Sequence, residues 1–161
     1  MKSITNAKDR AQAIRAIILA GTDDLFQGIA EYVKAEYEFT IQPVPADAID
    51  GAKGVLNGDH RAIYYDQDLD NDPVQRLLVV AHELGHLVLH KRLTDRIGQV
   101  DLLSPYLNTG GPALARYNRR SREEIEADAF ANEFVLPSRE VFDVWLADET
   151  STSTTLAKKY G

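Results

Sequence analysis

The sequence predicts an α+β fold that is mostly helical, with a small β-sheet or hairpin placed before a long central helix. Apolar residues recur at helical spacing near the N-terminus. The turn dipeptide Asn57-Gly58 separates two short β-prone segments, and an apolar run over residues 74–90 follows the helix-start signal Asp72-Pro73. The length of 161 residues is that of one domain, so residues 1–161 are expected to form a single domain.

The N-terminal third predicts two helices and one weak strand. Ala11, Ile14 and Ile18 share a helix face, which favours helices over residues 6–20 and 23–37. The break between them is Gly21-Thr22-Asp23, a stop followed by an N-cap. Residues 39–44 alternate as a strand would, but Pro43 lacks the N–H that an interior ladder needs, so this strand belongs at a sheet edge or at a bend.

The middle of the chain predicts a hairpin followed by the central helix. Residues 53–56 and 61–65 flank Asn57-Gly58, whose residues favour the positive φ of tight hairpin turns. The alternative is a surface turn between unpaired segments. The helix over residues 74–90 is apolar on most sides, so it should be central and largely buried.

The C-terminal part predicts an irregular connection and a second important helix. Residues 91–118 contain Gly98, Ser104-Pro105 and Gly110-Gly111-Pro112, which is typical of a loop that shapes a binding cleft. A helix over residues 121–135 should end before Pro137. A short helix capped by Ser138 is expected to follow, before a Ser/Thr-rich turn at 150–155.

Composition excludes several classes of function. Twenty-five acidic residues against 18 basic ones give a net charge of −7, which makes direct binding to nucleic acid a poor hypothesis. The sequence has no cysteine, so disulfides, thiolate nucleophiles and cysteine metal ligands are excluded. No stretch approaches the ~18 apolar residues of a membrane span, and we expect a cytoplasmic protein without membrane association.

One motif carries most of the chemistry: His82-Glu83-Leu84-Gly85-His86, a match to H-E-x-x-H. Two imidazoles four residues apart lie on one helix face and can bind one ion, while Glu83, rotated by ~100°, flanks it. Zinc suits imidazole and carboxylate ligands. The alternative is a pair of buried histidines bonded to backbone carbonyls. His90 lies ~12 Å along the axis from His82, too far to share the ion, and is interpreted as a packing or hydrogen-bonding histidine.

A third ligand is expected from the acidic segment 122–128, where Glu123, Glu124 and Glu126 compete and Glu133 is a weaker candidate. At ~100° per residue, Glu124 shares a face with small and apolar residues and therefore points inward. Glu126 falls on the opposite side together with Glu133, which reads as a solvated face. The favoured ligand is Glu124.

Asp128 lies one turn beyond Glu124. From there an inward carboxylate can accept the ring N–H of a ligating histidine and fix its tautomer. The alternative for both residues is a position on the helix surface, where acids near an N-terminus are favoured by the helix dipole.

At these residues the sequence resembles the ImmA/IrrE metallopeptidase family. Its members show HELGH, then E-x-E-A-[ND]-x-F-A, then a short apolar run that ends in proline. Here these blocks are residues 82–86 (HELGH), 124–131 (EIEADAFA) and 134–137 (FVLP). The resemblance implies a zincin-like domain of gluzincin type that binds Zn²⁺ and cleaves a helix-turn-helix transcriptional repressor, releasing genes of a mobile element or a stress response. Relatives commonly continue beyond the position of Gly161, so the natural chain is expected to extend further.

The mechanism implied is hydrolytic. Zinc held by His82, His86 and a carboxylate would bind water and polarise the scissile carbonyl, while Glu83 takes the proton of the water and delivers it to the leaving amine. A second donor to the oxyanion could be His60, Tyr64, Tyr106, Arg116 or Tyr117, and the spacing does not select one. Residues 61–65 could be an edge strand that pairs with an extended substrate, or an ordinary hairpin strand.

Two other functions stay open at this point. The first is a binding module that sequesters a repressor and uses zinc only to hold its fold. The second is a general protease from another zincin branch. A structural site is usually closed by four protein ligands, whereas a catalytic site keeps a position for water. The number of protein ligands therefore separates the enzyme from the binding module.

Overall fold

The computed structural model describes residues 2–90 and 122–139. Within these residues the helices are α1 (Lys2–Leu19), α2 (Leu25–Tyr37), α3 (Pro73–Leu89) and α4 (Arg122–Val135), and the strands are β1 (Thr40–Val44), β2 (Gly54–Asn57) and β3 (Ala62–Asp66). Two 3₁₀ turns, Ala46–Ile49 and Gln67–Asn71, complete the order of elements. The predicted α+β fold, mostly helical with a small sheet before the long helix, is confirmed.

The two N-terminal helices occur where the sequence places them, with different ends. α1 begins at Lys2, earlier than expected, and the cap of α2 is Asp24, whose side chain accepts from the Gln27 amide at 3.0 Å. Gly28 lets α2 approach α1, since a Cβ there would collide with the Ile18 side chain. α2 ends with Glu38 in the left-handed region at φ 60°, where its N–H bonds back to Lys34.

The sheet has the order β1-β3-β2, with β1 parallel and β2 antiparallel to β3. Pro43 lies in β1, which is an edge strand as predicted. Of the two alternatives for residues 61–65, the ordinary hairpin strand is confirmed and the edge strand is wrong, because β1 pairs along the other side of β3 and makes it central. β2 is instead the edge strand on the second side of the described sheet.

The predicted hairpin is present, but its turn differs from the expected one. Four residues, 58–61, separate β2 from β3, and the positive φ falls on Arg61 at 48°. The Asn57 side chain accepts from the His60 amide at 2.9 Å, which ties the turn together.

α3 is the central helix. Asp72 caps it by accepting from the Gln75 amide at 3.0 Å, and Pro73 is its first residue. Its second half is buried between the sheet and α4, and α4 also packs against α1. The core therefore includes apolar residues from both ends of the described chain: Ala11, Ile14, Val33, Leu56, Ile63, Leu84, Leu87, Phe130 and Phe134.

α4 ends at Val135, before Pro137, as predicted. The irregular connection expected over residues 91–118, the short helix beyond residue 139 and the turn at 150–155 lie outside the described residues. No helix within residues 2–90 or 122–139 combines the length and the apolar character needed to cross a membrane.

Candidate metal centre

Two glycines allow the site to assemble around α3. A Cβ on Gly85 would lie 3.2 Å from the Ala127 Cα and 3.3 Å from its carbonyl oxygen, so the missing side chain lets the backbones of α3 and α4 approach. On another side, a Cβ on Gly54 would lie 3.2 Å from a carboxylate oxygen of Glu83 and even closer to Val79. The motif helix is therefore held between β2 and α4 at van der Waals distance.

Three side chains bring ligand atoms together across the α3–α4 contact. His82 Nε2 and His86 Nε2 lie 3.0 Å apart. Glu124 places one carboxylate oxygen 3.4 Å from His82 Nε2 and the other 3.3 Å from His86 Nε2. Among the described residues this is the group of His, Asp and Glu side chains whose geometry suits a metal ion.

The spacing of these atoms fits a small tetrahedral cation. Zinc bound at 2.0–2.1 Å by tetrahedral ligands requires ligand atoms roughly 3.3 Å apart. The two imidazole nitrogens lie 3.0 Å apart, and each lies 3.3–3.4 Å from a different oxygen of Glu124, so the carboxylate faces both histidines close to this spacing. Two imidazoles and one carboxylate also form a donor set that suits zinc better than magnesium or calcium, which prefer oxygen ligands.

Charge is distributed in this cluster in a way that prepares it for a cation. Burial opposes the ionisation of Glu124, but hydrogen bonds to His82 and His86 outweigh burial and lower its pKa to about 2. Burial would lower the pKa of His82, yet its bonds to Asp128 and Glu124 raise that pKa to about 10. Without a metal, a proton on His82 thus stands in for the positive charge that a cation would supply.

Asp128 lies behind His82. Its carboxylate is 3.0 Å from His82 Nδ1, on the ring edge away from the ligand atom Nε2. A carboxylate in this place fixes the proton on Nδ1 and leaves Nε2 free to bind a metal. Asp128 therefore lies where the sequence prediction puts it, in contact with a histidine of the motif.

Glu83 lies beside the three candidate ligands, on the side of the site where β2 packs against α3. It is 2% exposed and accepts a hydrogen bond from the Leu56 amide of β2. Burial raises its pKa above the ordinary value. A carboxyl group with a raised pKa is a better proton acceptor than an ordinary surface carboxylate.

An open cleft of about 360 Å³ runs along this side of α3. Its walls come from β2, α3 and α4: Lys53, Gly54, Gln75, Leu78, Val79, His82, Glu83, Asp128, Ala131 and Asn132. Glu83 and His82 both line this cleft.

The other candidate ligands lie elsewhere. Glu123 is exposed. The prediction that Glu126 and Glu133 share a solvated face is wrong: the side chain of Glu126 is 14% exposed and contacts His90, and Glu133 is 2% exposed. Glu133 accepts from Gln12 at 2.8 Å and from Ser138, so it joins α4 to α1 and is not part of the site.

The candidates for an oxyanion donor are not brought to the cleft within the described residues. His60 Nδ1 and the Tyr64 hydroxyl lie 2.8 Å apart and bond to each other, and neither lines the cleft. Tyr106, Arg116 and Tyr117 lie outside the described residues.

Two contributions to the site are not predicted by the sequence: the Leu56 amide and the clearance at Gly54. A backbone donor leaves no trace in residue type, and a glycine inside a short strand does not reveal which side chain packs against it. His90 forms hydrogen bonds as predicted, but its partners His86 and Glu126 are not named by the prediction. The i, i+4 spacing of His86 and His90 was a usable signal, since such residues are neighbours on a helix.

Comparison with known proteins supplies the family. The family model described as IrrE N-terminal-like domain, a metallopeptidase family, matches residues 36–161. Neither the curated proteins nor the solved structures gave a match. The matched segment contains the H-E-x-x-H helix, the acidic helix α4 and the edge strand β2. The chain belongs to the metallopeptidase family of the IrrE N-terminal-like domain.

Proposed function

We propose that this protein is a zinc endopeptidase in which His82, His86 and Glu124 bind the metal and Glu83 acts as the general base. The observation that carries the proposal is the convergence of His82, His86 and Glu124, whose ligand atoms lie within 4.8 Å of one another, beside a buried carboxyl group that lines a cleft. A purely structural histidine pair has no need for an adjacent cleft or for a carboxyl group kept in it.

The ligand count supports a catalytic site over a structural one. Structural zinc sites are usually closed by four protein ligands, whereas catalytic sites leave one position open. Within residues 2–90 and 122–139, three side chains converge on the site. When bound there, zinc would supply Lewis acidity, which makes water easier to deprotonate and polarises a peptide carbonyl.

Glu83 performs the proton transfers in this proposal. Its carboxylate takes a proton from the attacking water and passes it to the nitrogen of the leaving amine. The C–O bond to water then forms and the C–N bond breaks without leaving a hydroxide or an amide anion. The Leu56 amide donates a hydrogen bond to the carboxyl group, and burial raises the pKa of that group above its ordinary value. Glu83 is thus needed for the rate and not for holding the metal.

β2 is suited to bind the substrate backbone. It is an edge of the described sheet, and Gly54 lies both in this strand and in the wall of the cleft. An extended peptide can pair with such an edge through main-chain hydrogen bonds. This role replaces the one that the sequence suggested for residues 61–65.

We propose a helix-turn-helix transcriptional repressor as the substrate. The support is the resemblance of the three sequence blocks to the ImmA/IrrE family, together with the family match over residues 36–161. The net charge of −7 is compatible with a basic DNA-binding partner.

The test uses the repressor encoded beside the gene, incubated with the purified protein in the presence and absence of a chelator. The parent should cleave it in a metal-dependent way. Glu83→Gln should keep the metal content and cleave at least ~100-fold more slowly, the usual scale of general-base loss. Cleavage by Glu83→Gln at the parent rate would contradict the mechanism, and metal binding without cleavage by the parent would contradict this substrate.

A further inference from the structure

His90 lies behind His86, on the side of that ring away from the candidate ligand atom Nε2. It is the C-cap of α3, and its side chain is 9% exposed. Its Nδ1 lies 3.2 Å from His86 Nδ1, and its Nε2 lies 3.1 Å from a carboxylate oxygen of Glu126. The three side chains therefore form a continuous chain of hydrogen bonds behind His86.

The proton positions in this series of hydrogen bonds follow from the groups at its two ends, His86 and Glu126. His86 presents Nε2 to His82 and Glu124, so a metal bound there leaves the ring proton on Nδ1. Because His86 is 0% exposed, this N–H has no solvent to bond and needs His90 Nδ1 as its acceptor. His90 can accept at Nδ1 only if its own proton is on Nε2.

Glu126 fixes the far end of the chain. An ionised carboxylate only accepts hydrogen bonds, so it selects the His90 tautomer with the proton on Nε2. Glu126 is itself held by Arg122 Nε at 2.7 Å and by a hydrogen bond from Ser3 of α1. The carboxylate thus has a defined place among three helices.

We infer that His90 and Glu126 are positioning residues that fix the tautomer and ring orientation of His86 for metal binding. The inference rests on the proposed function, since it takes His86 as a ligand. In this inference His86 is oriented by a relay of two residues, His90 and Glu126. His82, in contrast, has a direct carboxylate partner in Asp128.

The Asp128 contact with His82 and the His90–Glu126 relay behind His86 differ in their access to water. Asp128 has a side chain that is 35% exposed, so water can replace it as the acceptor of the His82 ring proton. His86 and His90 are enclosed, and water cannot take the place of His90 when an apolar side chain of similar size fills the space. Loss of the His90 acceptor should therefore weaken metal binding more than loss of Asp128.

The experiment measures zinc affinity by chelator competition and the visible absorption of the cobalt-substituted protein, each with the full chain. His90→Leu fills the space without an acceptor, whereas His90→Asn keeps an oxygen close to the position of Nδ1. Glu126→Ala removes the end of the relay, and Glu123→Ala is the control, since Glu123 is an exposed glutamate of the same helix, three residues before Glu126. Melting of the metal-free variants reports any purely structural effect.

We expect His90→Leu to lose ~10–100-fold in zinc affinity with an altered cobalt spectrum, the scale found for residues that orient ligands. His90→Asn should recover most of the affinity, and Glu126→Ala should fall between His90→Leu and the parent. The relay would be overturned if His90→Leu bound zinc with the affinity of the parent. It would also be overturned if His90→Leu and His90→Asn lost zinc affinity equally and both metal-free variants melted at lower temperature than the parent. A parent protein that binds no zinc would overturn the proposed metal site as well, so the two failures are distinguishable.

Discussion

Gly85→Ala tests how closely α3 and α4 must approach. The added methyl group would lie 3.2 and 3.3 Å from backbone atoms of Ala127 and 3.3 Å from the Cβ of Phe130. Ordinary carbon contacts are ~3.5–4.0 Å, so each falls short by a few tenths of an ångström. Two of the three contacts are to backbone, which cannot rotate away, and α4 must shift as a whole.

The net effect on stability combines two terms. Overpacking a core costs about 1–3 kcal/mol, and replacing glycine by alanine inside a helix gains about 1 kcal/mol. We expect the free energy of unfolding to fall by about 1 kcal/mol net, which lowers the Tm by ~2–4 °C for a chain of this size. A shift of a few tenths of an ångström stays within the ~0.5 Å tolerance of a functional site, so metal affinity should fall less than about tenfold.

The assay is thermal and denaturant unfolding of the metal-free protein, because bound metal would add its own stabilisation. Gly21→Ala is the control: its Cβ would lie 3.7 Å from the Ile18 carbonyl oxygen, an ordinary contact. The control should be neutral or slightly stabilised. A Gly85→Ala protein that is more stable than the parent would refute the close packing, since only the helix-propensity gain would then remain.

The remaining predictions concern the acids of α4. Glu124→Ala should lose most of its metal under mild chelation, and Asp128→Ala should lose ~10-fold in affinity, the lower end of the usual range and less than His90→Leu, both measured by metal analysis and competition. Retention of metal by Glu124→Ala would exclude Glu124 as a ligand. Burial opposes the ionisation of Glu133, but hydrogen bonds from Ser138 and Gln12 lower its pKa below the ordinary 4.5. The stability that it contributes is therefore complete above about pH 4.5 and is lost as the pH falls through the lowered value. Glu133→Gln should cost about 1–3 kcal/mol at pH 7 and flatten this acid dependence, as measured by unfolding between pH 3 and 7; an unchanged slope would exclude Glu133 as its source.

The sequence predicts the parts of the site that depend on local periodicity. His82, Glu83 and His86 lie on one helix, where residue spacing alone defines their relative positions. The inward direction of Glu124 follows from the small residues on its face, and it is 7% exposed in the structure. Its role as a ligand stays a prediction.

Long-range packing accounts for the differences. The sequence predicts a solvated Glu133 because this residue shares a helix face with Glu126, but α1 covers that part of α4 and supplies Gln12, 121 residues away in the chain. The hairpin signal at Asn57-Gly58 is local, whereas the central position of β3 depends on β1 pairing from outside the hairpin. Neither contact leaves a periodic pattern in the sequence.

The packing of α1 on α4 extends the core beyond residues 36–161, the segment that the family model matches. The family match begins at residue 36, yet Ala7, Ala11 and Ile14 of α1 are part of the core that α4 joins. A module cut at residue 36 would retain the H-E-x-x-H helix and Glu124 while uncovering the back of the helix that presents Glu124. The segment that the family model matches is therefore smaller than the packed unit, and α1 should be kept when the domain is transplanted or shortened.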